Sequence, residues 1–202
     1  KFYFKRKISN LVFMGMGEPL LNYKNVVKAI NKIKLKSGLN FSAKKVTIST
    51  SGIPKIIKHI AHEDLKCNLA VSLHSAIQKT REIIMPFSRK FPIEDLMDSL
   101  KYWNRVTKKK ILYEYIIFDG INDNVEHIKA LVKICKIIPC KVNFIEYNPT
   151  GDLRFRRCKV EKLELYQKYL TNEGIVNTYR VSRGRDINAA CGQLINLNKV
   201  GY

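Results

Sequence analysis

Polar and glycine residues gather at five points along this chain, each directly after a short apolar run. Gly15-Met16-Gly17-Glu18-Pro19 follows the first run, Ser49-Thr50-Ser51-Gly52 the second and Ser72-Leu73-His74-Ser75 the third. Asp119-Gly120-Ile121-Asn122-Asp123 follows the fourth, and Glu146-Tyr147-Asn148-Pro149 the fifth. Glycine lets a backbone approach a ligand closely, and the Glu18 carboxylate can accept hydrogen bonds from a cationic amine. Ser49, Ser72, His74 and Asn148 offer hydroxyl, imidazole and amide groups, which supply donors and acceptors to a polar ligand. Any one of these clusters is ordinary turn chemistry. Five of them closing on one face mark a site, in which His74 reads as a ligand contact rather than as an acid or base.

The elements that carry these clusters follow from the period of the apolar residues. Runs of β type occupy 10–16, 45–50, 67–73, 111–118 and 141–147. Between them apolar residues recur at helical spacing. The stripes are Val26, Val27, Ile30 and Ile33, then Ile53, Ile56, Ile57 and Ile60. Leu96, Met97, Leu100 and Trp103 form the next, and Val125, Ile128, Leu131, Val132 and Cys135 the last. Pro54 and Pro92 stand where helices begin, and Asn124 suits an N-cap. Strands alternating with helices predict an α/β fold with a parallel sheet and right-handed crossovers, whose chemistry gathers at the C-terminal strand edge. After Pro149 the rhythm changes to a basic loop, a helix over 160–172, a short strand near 178–181 and a tail of small residues.

The 202 residues suit one compact domain, and the formal net charge of +20 points to a polyanionic partner, since each Lys or Arg on a phosphate releases a counterion. A lysine-rich genome would give the same excess without any binding. No apolar run is long enough to cross a bilayer, so no membrane association is expected. Cysteines stand at 67, 135, 140, 158 and 191 with no CxxC among them, so no metal site is expected within the chain. The odd count and the absence of a secretory pattern favour reduced thiols in the cytoplasm. The run Leu153-Arg154-Phe155-Arg156-Arg157 joins guanidinium groups to a ring, which suits phosphates and unpaired bases, or else makes a solvated basic turn.

Longer runs are more specific than any cluster alone. VFMGMGEPLLN at 12–22, VTISTSG at 46–52, SLHSA at 72–76, EYNP at 146–149 and SRGRDINAACGQL at 182–194 occur in that order. Over about Asn10 to Leu194 the chain resembles the bacterial dual-specificity 23S ribosomal RNA and transfer RNA adenine-C(2)-methyltransferase family, a radical S-adenosylmethionine (SAM) family. The resemblance implies a partial (βα) radical-SAM barrel lacking its first strand, with a C-terminal extension. Residues 1–150 would form the barrel, strands two to six with their helices, and 151–202 the extension. The family's helical RNA-binding domain, its first strand and its CxxxCxxC loop are expected upstream of Lys1, so the chain by itself is expected to be inert.

Carried over position by position, the resemblance implies SAM contacts at Gly17, Glu18, Ser49, Ser72, Leu73, His74 and Asn148, and a methyl-carrying cysteine at Cys191. In the family that thiolate takes a methyl group from one SAM. A second SAM, cleaved at a [4Fe–4S] cluster, yields the radical that activates the methyl for addition to carbon 2 of adenine. Carbon 2 is not nucleophilic, so a polar methyl transfer would fail, and the cofactor supplies the radical chemistry. The cluster ligands and the resolving cysteine are expected upstream. The partners implied are 23S ribosomal RNA, transfer RNA and an electron donor for SAM cleavage, with the protein a cytoplasmic monomer. The target base must leave its stack to be reached. A related family that methylates carbon 8 of adenine, and a non-catalytic RNA-binding remnant, are the alternatives.

Overall fold

The structure is a computed structural model, which describes residues 8–14, 17–37, 40–149 and 151–181. Six strands form one parallel sheet: β1 (Leu11–Phe13), β2 (Val46–Thr50), β3 (Asn68–Ser72), β4 (Ile111–Ile116), β5 (Cys140–Ile145) and β6 (Asn177–Arg180). Their spatial order is their sequence order. That singly wound order is the order of a barrel, and among the described residues the sheet is open, with β1 and β6 at its edges. Between the strands lie helices α1 (Tyr23–Lys34), α2 (Pro54–Ile60), α3 (Gln78–Ile84), α4 (Ile93–Thr107), α5 (Val125–Cys135) and α6 (Val160–Asn172). The expected α/β partial barrel is the fold observed. Its last strand, which falls in the region 151–202, pairs with β5 and joins the same sheet.

The local chemistry explains these boundaries. Pro54 opens α2 at its first turn, where its missing N–H is no loss, and the Asn124 side chain accepts the His127 backbone N–H at the start of α5. Lys108, left-handed at φ 59°, ends α4. One helix escapes the pattern. α3 is seven residues of mostly polar sequence, and its buried residue is Arg81, a charge where the helical period looks for an apolar side chain.

Strand periodicity sorts the sheet into two faces. Ile48, Leu69, Val71, Ile111, Tyr113, Tyr115, Val142 and Phe144 are buried in one core with Ile30, Ile57, Leu100, Trp103, Ile128, Leu131 and Tyr166 of the helices. The other face carries a polar row among a few apolar residues. Ser72, Glu114, Asn143 and Thr178 are register partners across four adjacent strands. Asn143 bridges its neighbours, donating to Glu114 at 2.9 Å and accepting from Thr178 at 3.1 Å. Burial pushes the Glu114 carboxyl upward, against the opposing pull of Asn143 and Arg180. A sheet with an oily outer face and a polar inner row positions ligands on the inside and at the strand ends.

Candidate active site

The loop after β1 and the C-terminal end of β2 are tied together through Glu18. One oxygen of its carboxylate accepts the Leu20 backbone N–H at 2.9 Å and the Thr50 hydroxyl at 2.6 Å. The other accepts the Ser51 backbone N–H at 2.7 Å and the Ser51 hydroxyl at 2.6 Å. The loop after β1 is thereby stapled onto the end of β2. Gly17, beside Glu18, has φ +88° with open space where a Cβ would stand, a left-handed turn that leaves the backbone accessible. Gly52 is fixed twice over, by φ +98° and by Leu96, whose Cδ1 would lie 2.7 Å from an added Cβ.

The end of β3 is held as firmly. His74 adopts φ 54°, and its Nδ1 accepts the Ile116 backbone N–H at 3.2 Å. An accepting Nδ1 carries no proton, so the neutral ring holds its hydrogen on Nε2 and presents a donor there. Burial, then the Arg81 charge, pushes the His74 pKa down to about 4, which keeps the ring neutral. Asn122 locks the same corner. Its side-chain amide donates to the His74 carbonyl at 2.6 Å and the Ile116 carbonyl at 2.9 Å, and its oxygen accepts the Phe118 N–H at 2.6 Å. The Tyr166 hydroxyl of α6 donates to the Asn122 carbonyl. Arg81, buried under the strand ends, donates to carbonyls of Ser51, Ser72 and Leu73.

Of the residues singled out in the sequence, Gly17, Glu18, Ser49, Ser72, Leu73 and His74 thus lie along three adjacent strand ends. Ser49 is nearly buried and pairs in register with Ala70, whereas Leu73 is wholly buried. Asn148 is buried after β5, two strands beyond β3. Cys191 and the run 182–194 lie outside the described residues. Thr50, Ser51, Arg81 and Asn122 each do a share of the positioning; the first two and Asn122 stand in the polar clusters of the sequence without being named there as ligand contacts, and Arg81 stands outside them. For Asn122 the DGIND turn is a usable signal, but a buried arginine has none.

The basic loop is not free surface. Arg154 pairs with Asp152, Arg156 with Asp119 at 3.4 Å, and Arg157 with the buried Glu146. Phe155 packs on Phe118 at a centroid distance of 5.0 Å and on Tyr147 at 6.5 Å. The Asp119 N–H donates to the Arg156 carbonyl at 3.0 Å. The loop is therefore docked as a wall on the end of β4.

Donors and acceptors in this number, beside an accessible glycine turn, fit a zwitterionic ligand with hydroxyl groups such as SAM. A cluster is another matter: among the described residues no three His, Cys, Asp or Glu side chains converge to hold a metal. Nor, among those residues, is any helix long and apolar enough to cross a membrane.

This geometry is that of a partial (βα) barrel with its ligand site at the strand ends, and comparison with known proteins places it in a class. The model of the radical SAM superfamily matches residues 1–133, and the chain belongs to that superfamily. A probable dual-specificity RNA methyltransferase RlmN of Flavobacterium johnsoniae is 55% identical over 97% of this chain and 56% of its own length. The dual-specificity RNA methyltransferase RlmN of Nautilia profundicola is 42% identical over 96% of this chain and 55% of its own. The chain thus spans about half the length of the curated relatives it matches. Among solved structures, a radical SAM methyltransferase from Sphaerobacter thermophilus superimposes with a TM-score of 0.89 at 37% identity, covering 93% of this chain and 55% of that one. A domain of pyruvate-formate lyase-activating enzyme from Bacteroides vulgatus shares the fold at 14% identity, with a TM-score of 0.65 over 86% of this chain and 99% of its own.

Proposed function

We propose that the chain is the catalytic barrel of an enzyme that methylates carbon 2 of adenine in 23S ribosomal RNA and transfer RNA, in the cytoplasm. The observation that carries this reading is the run of hydrogen bonds from Glu18 to Ser51, from Ser51 to Arg81 and from Arg81 to Leu73, continued through the adjoining His74 to Asn122. It holds the glycine-glutamate turn against the ends of β2 and β3, where a SAM-sized polar ligand would lie. The names of the relatives support an RNA substrate and methyl transfer, and the net charge of +20 suits a polyanion.

In this reading Gly17 and Glu18 face the amino-acid end of SAM, and Ser49, Ser72, His74 and Asn148 line the rest of it, with Leu73, wholly buried and bonded through its backbone to Glu114 and Arg81, anchoring the segment between Ser72 and His74. SAM, when bound, supplies the methyl group. The Glu18 oxygens already accept four hydrogen bonds, so the carboxylate acts on a bound ammonium chiefly through its charge and by shaping the turn. The neutral His74 offers its Nε2 hydrogen to an acceptor on the ligand. Cys191, in the region 151–202, would be the methyl acceptor, its thiolate serving as the nucleophile and S-adenosylhomocysteine as the leaving group. Any cluster ligands are assigned to residues outside those described.

The test is mass spectrometry of the tryptic peptide containing Cys191, taken from the protein produced with its complete coding sequence. The expected result is one added methyl group in the unaltered protein and none in Cys191→Ser. An unmethylated Cys191 peptide, or a serine variant that still methylates RNA, overturns the assignment of this residue.

A further inference from the structure

Arg81 has a place that neither the sequence motifs nor the ligand contacts account for. It is fully buried, at 0% exposure, in a helix of only seven residues. Among the described residues no carboxylate pairs with it, and its Nη1 has no hydrogen-bond partner. Its other nitrogens point at backbone. Nη2 donates to the Ser51 carbonyl at 2.6 Å and more weakly to Ser72 at 3.4 Å, while Nε donates to Leu73 at 3.3 Å. A buried guanidinium is retained where its fork of donors does something an apolar side chain cannot. Here it spans two strand ends. Ser51 is gripped from both sides, by Glu18 on its N–H and hydroxyl and by Arg81 on its carbonyl.

We propose that Arg81 is a positioning residue that fixes the turn after β2 against the end of β3, so that both halves of the ligand site stand ready before ligand arrives. The function of that arrangement rests on the reading of 49–52 and 72–74 as SAM-binding segments. Pre-organisation of this kind raises affinity by removing the cost of ordering the loops on binding. Lysine cannot replace it, because one ammonium on a flexible stem does not reach carbonyls of two strands in a fixed plane. The guanidinium also lies close enough to His74 to help hold that ring neutral.

The experiment compares Arg81→Lys, Arg81→Met and, as a control for reduced stability alone, Leu131→Ala on α5 in the core. Two quantities are read for each: amide hydrogen exchange resolved by segment, and SAM affinity by calorimetry. Both Arg81 variants should lose exchange protection at 49–52 and 72–75 while β4 and β5 stay protected. Their SAM dissociation constants should rise roughly tenfold or more, the factor expected when charge-assisted hydrogen bonds are removed. Leu131→Ala should melt earlier with SAM affinity intact. Uniform loss of protection across the sheet, or affinity unchanged in Arg81→Lys, overturns the proposal. All variants are made in the protein produced from its complete coding sequence; if the unaltered protein does not bind SAM, the ligand reading fails, and the exchange pattern alone still decides whether Arg81 positions these segments.

Discussion

Replacing Glu18 by Gln removes one charge while keeping the shape of the side chain, and the structure sets the size of the effect. Turned so that its oxygen meets Leu20 N–H and Thr50, the amide keeps two hydrogen bonds as neutral ones, at a loss of about 1 kcal/mol each. Its NH2 then faces the Ser51 backbone N–H, donor against donor, which strands that group at a cost of about 1–3 kcal/mol. The Ser51 hydroxyl can rotate and accept instead. Glu18 is only partly buried, and water reaching it reduces the sum to about 2 kcal/mol. For a chain of this size that lowers the melting temperature by roughly 4–8 °C, measurable by calorimetry on the chain without any ligand. SAM affinity should fall in the same variant. A melting temperature unchanged within about 2 °C would refute the argument that this carboxylate staples the turn to β2.

The remaining predictions concern pH and RNA. His74 stays neutral in the folded chain down to about 4, below its ordinary value of 6.5, so the unfolded chain takes up that proton first as the pH falls. Stability is therefore full above about pH 6.5 and declines toward pH 4, by up to about 1.4 kcal/mol per pH unit. Urea unfolding across that range should show the slope, His74→Gln should reduce it, and stability independent of pH would contradict a buried neutral ring. Replacing Arg154, Arg156 and Arg157 together by Ala should weaken RNA binding and lower its salt slope by about 0.7–0.9 for each phosphate that is no longer neutralised. The total should fall short of three phosphates, because each guanidinium is shared with Asp152, Asp119 or Glu146. An unchanged slope would leave the loop a purely structural wall.

Much of this architecture is legible in the sequence because the signals are local. The buried runs of β2 to β5, the stripes of α1, α2, α4 and α5, the prolines at helix starts and the Asn124 cap each announce themselves within a few residues. What is not legible is long-range. Arg81 looks like any surface arginine of a polar helix until the fold carries it beneath Ser51, thirty residues earlier in the chain. Glu18 reads as a ligand group, and only the sheet order shows that Thr50 and Ser51 already occupy its oxygens. The Arg154–Arg157 run reads as a free basic surface because its partners Asp119 and Glu146 come from the ends of other strands. Tertiary pairing, rather than composition, decides how much of that charge RNA can use.

The central claim, that this barrel serves methylation of adenine at carbon 2, is tested most directly on RNA. The complete coding sequence containing this chain should be expressed in a bacterium that lacks the modification. Its ribosomal and transfer RNA should then be digested to nucleosides and separated by liquid chromatography with mass detection. The expected result is 2-methyladenosine with the unaltered gene and none with Cys191→Ser. The appearance of 8-methyladenosine instead, or of no methylated adenosine beyond the host's own, would contradict the claim.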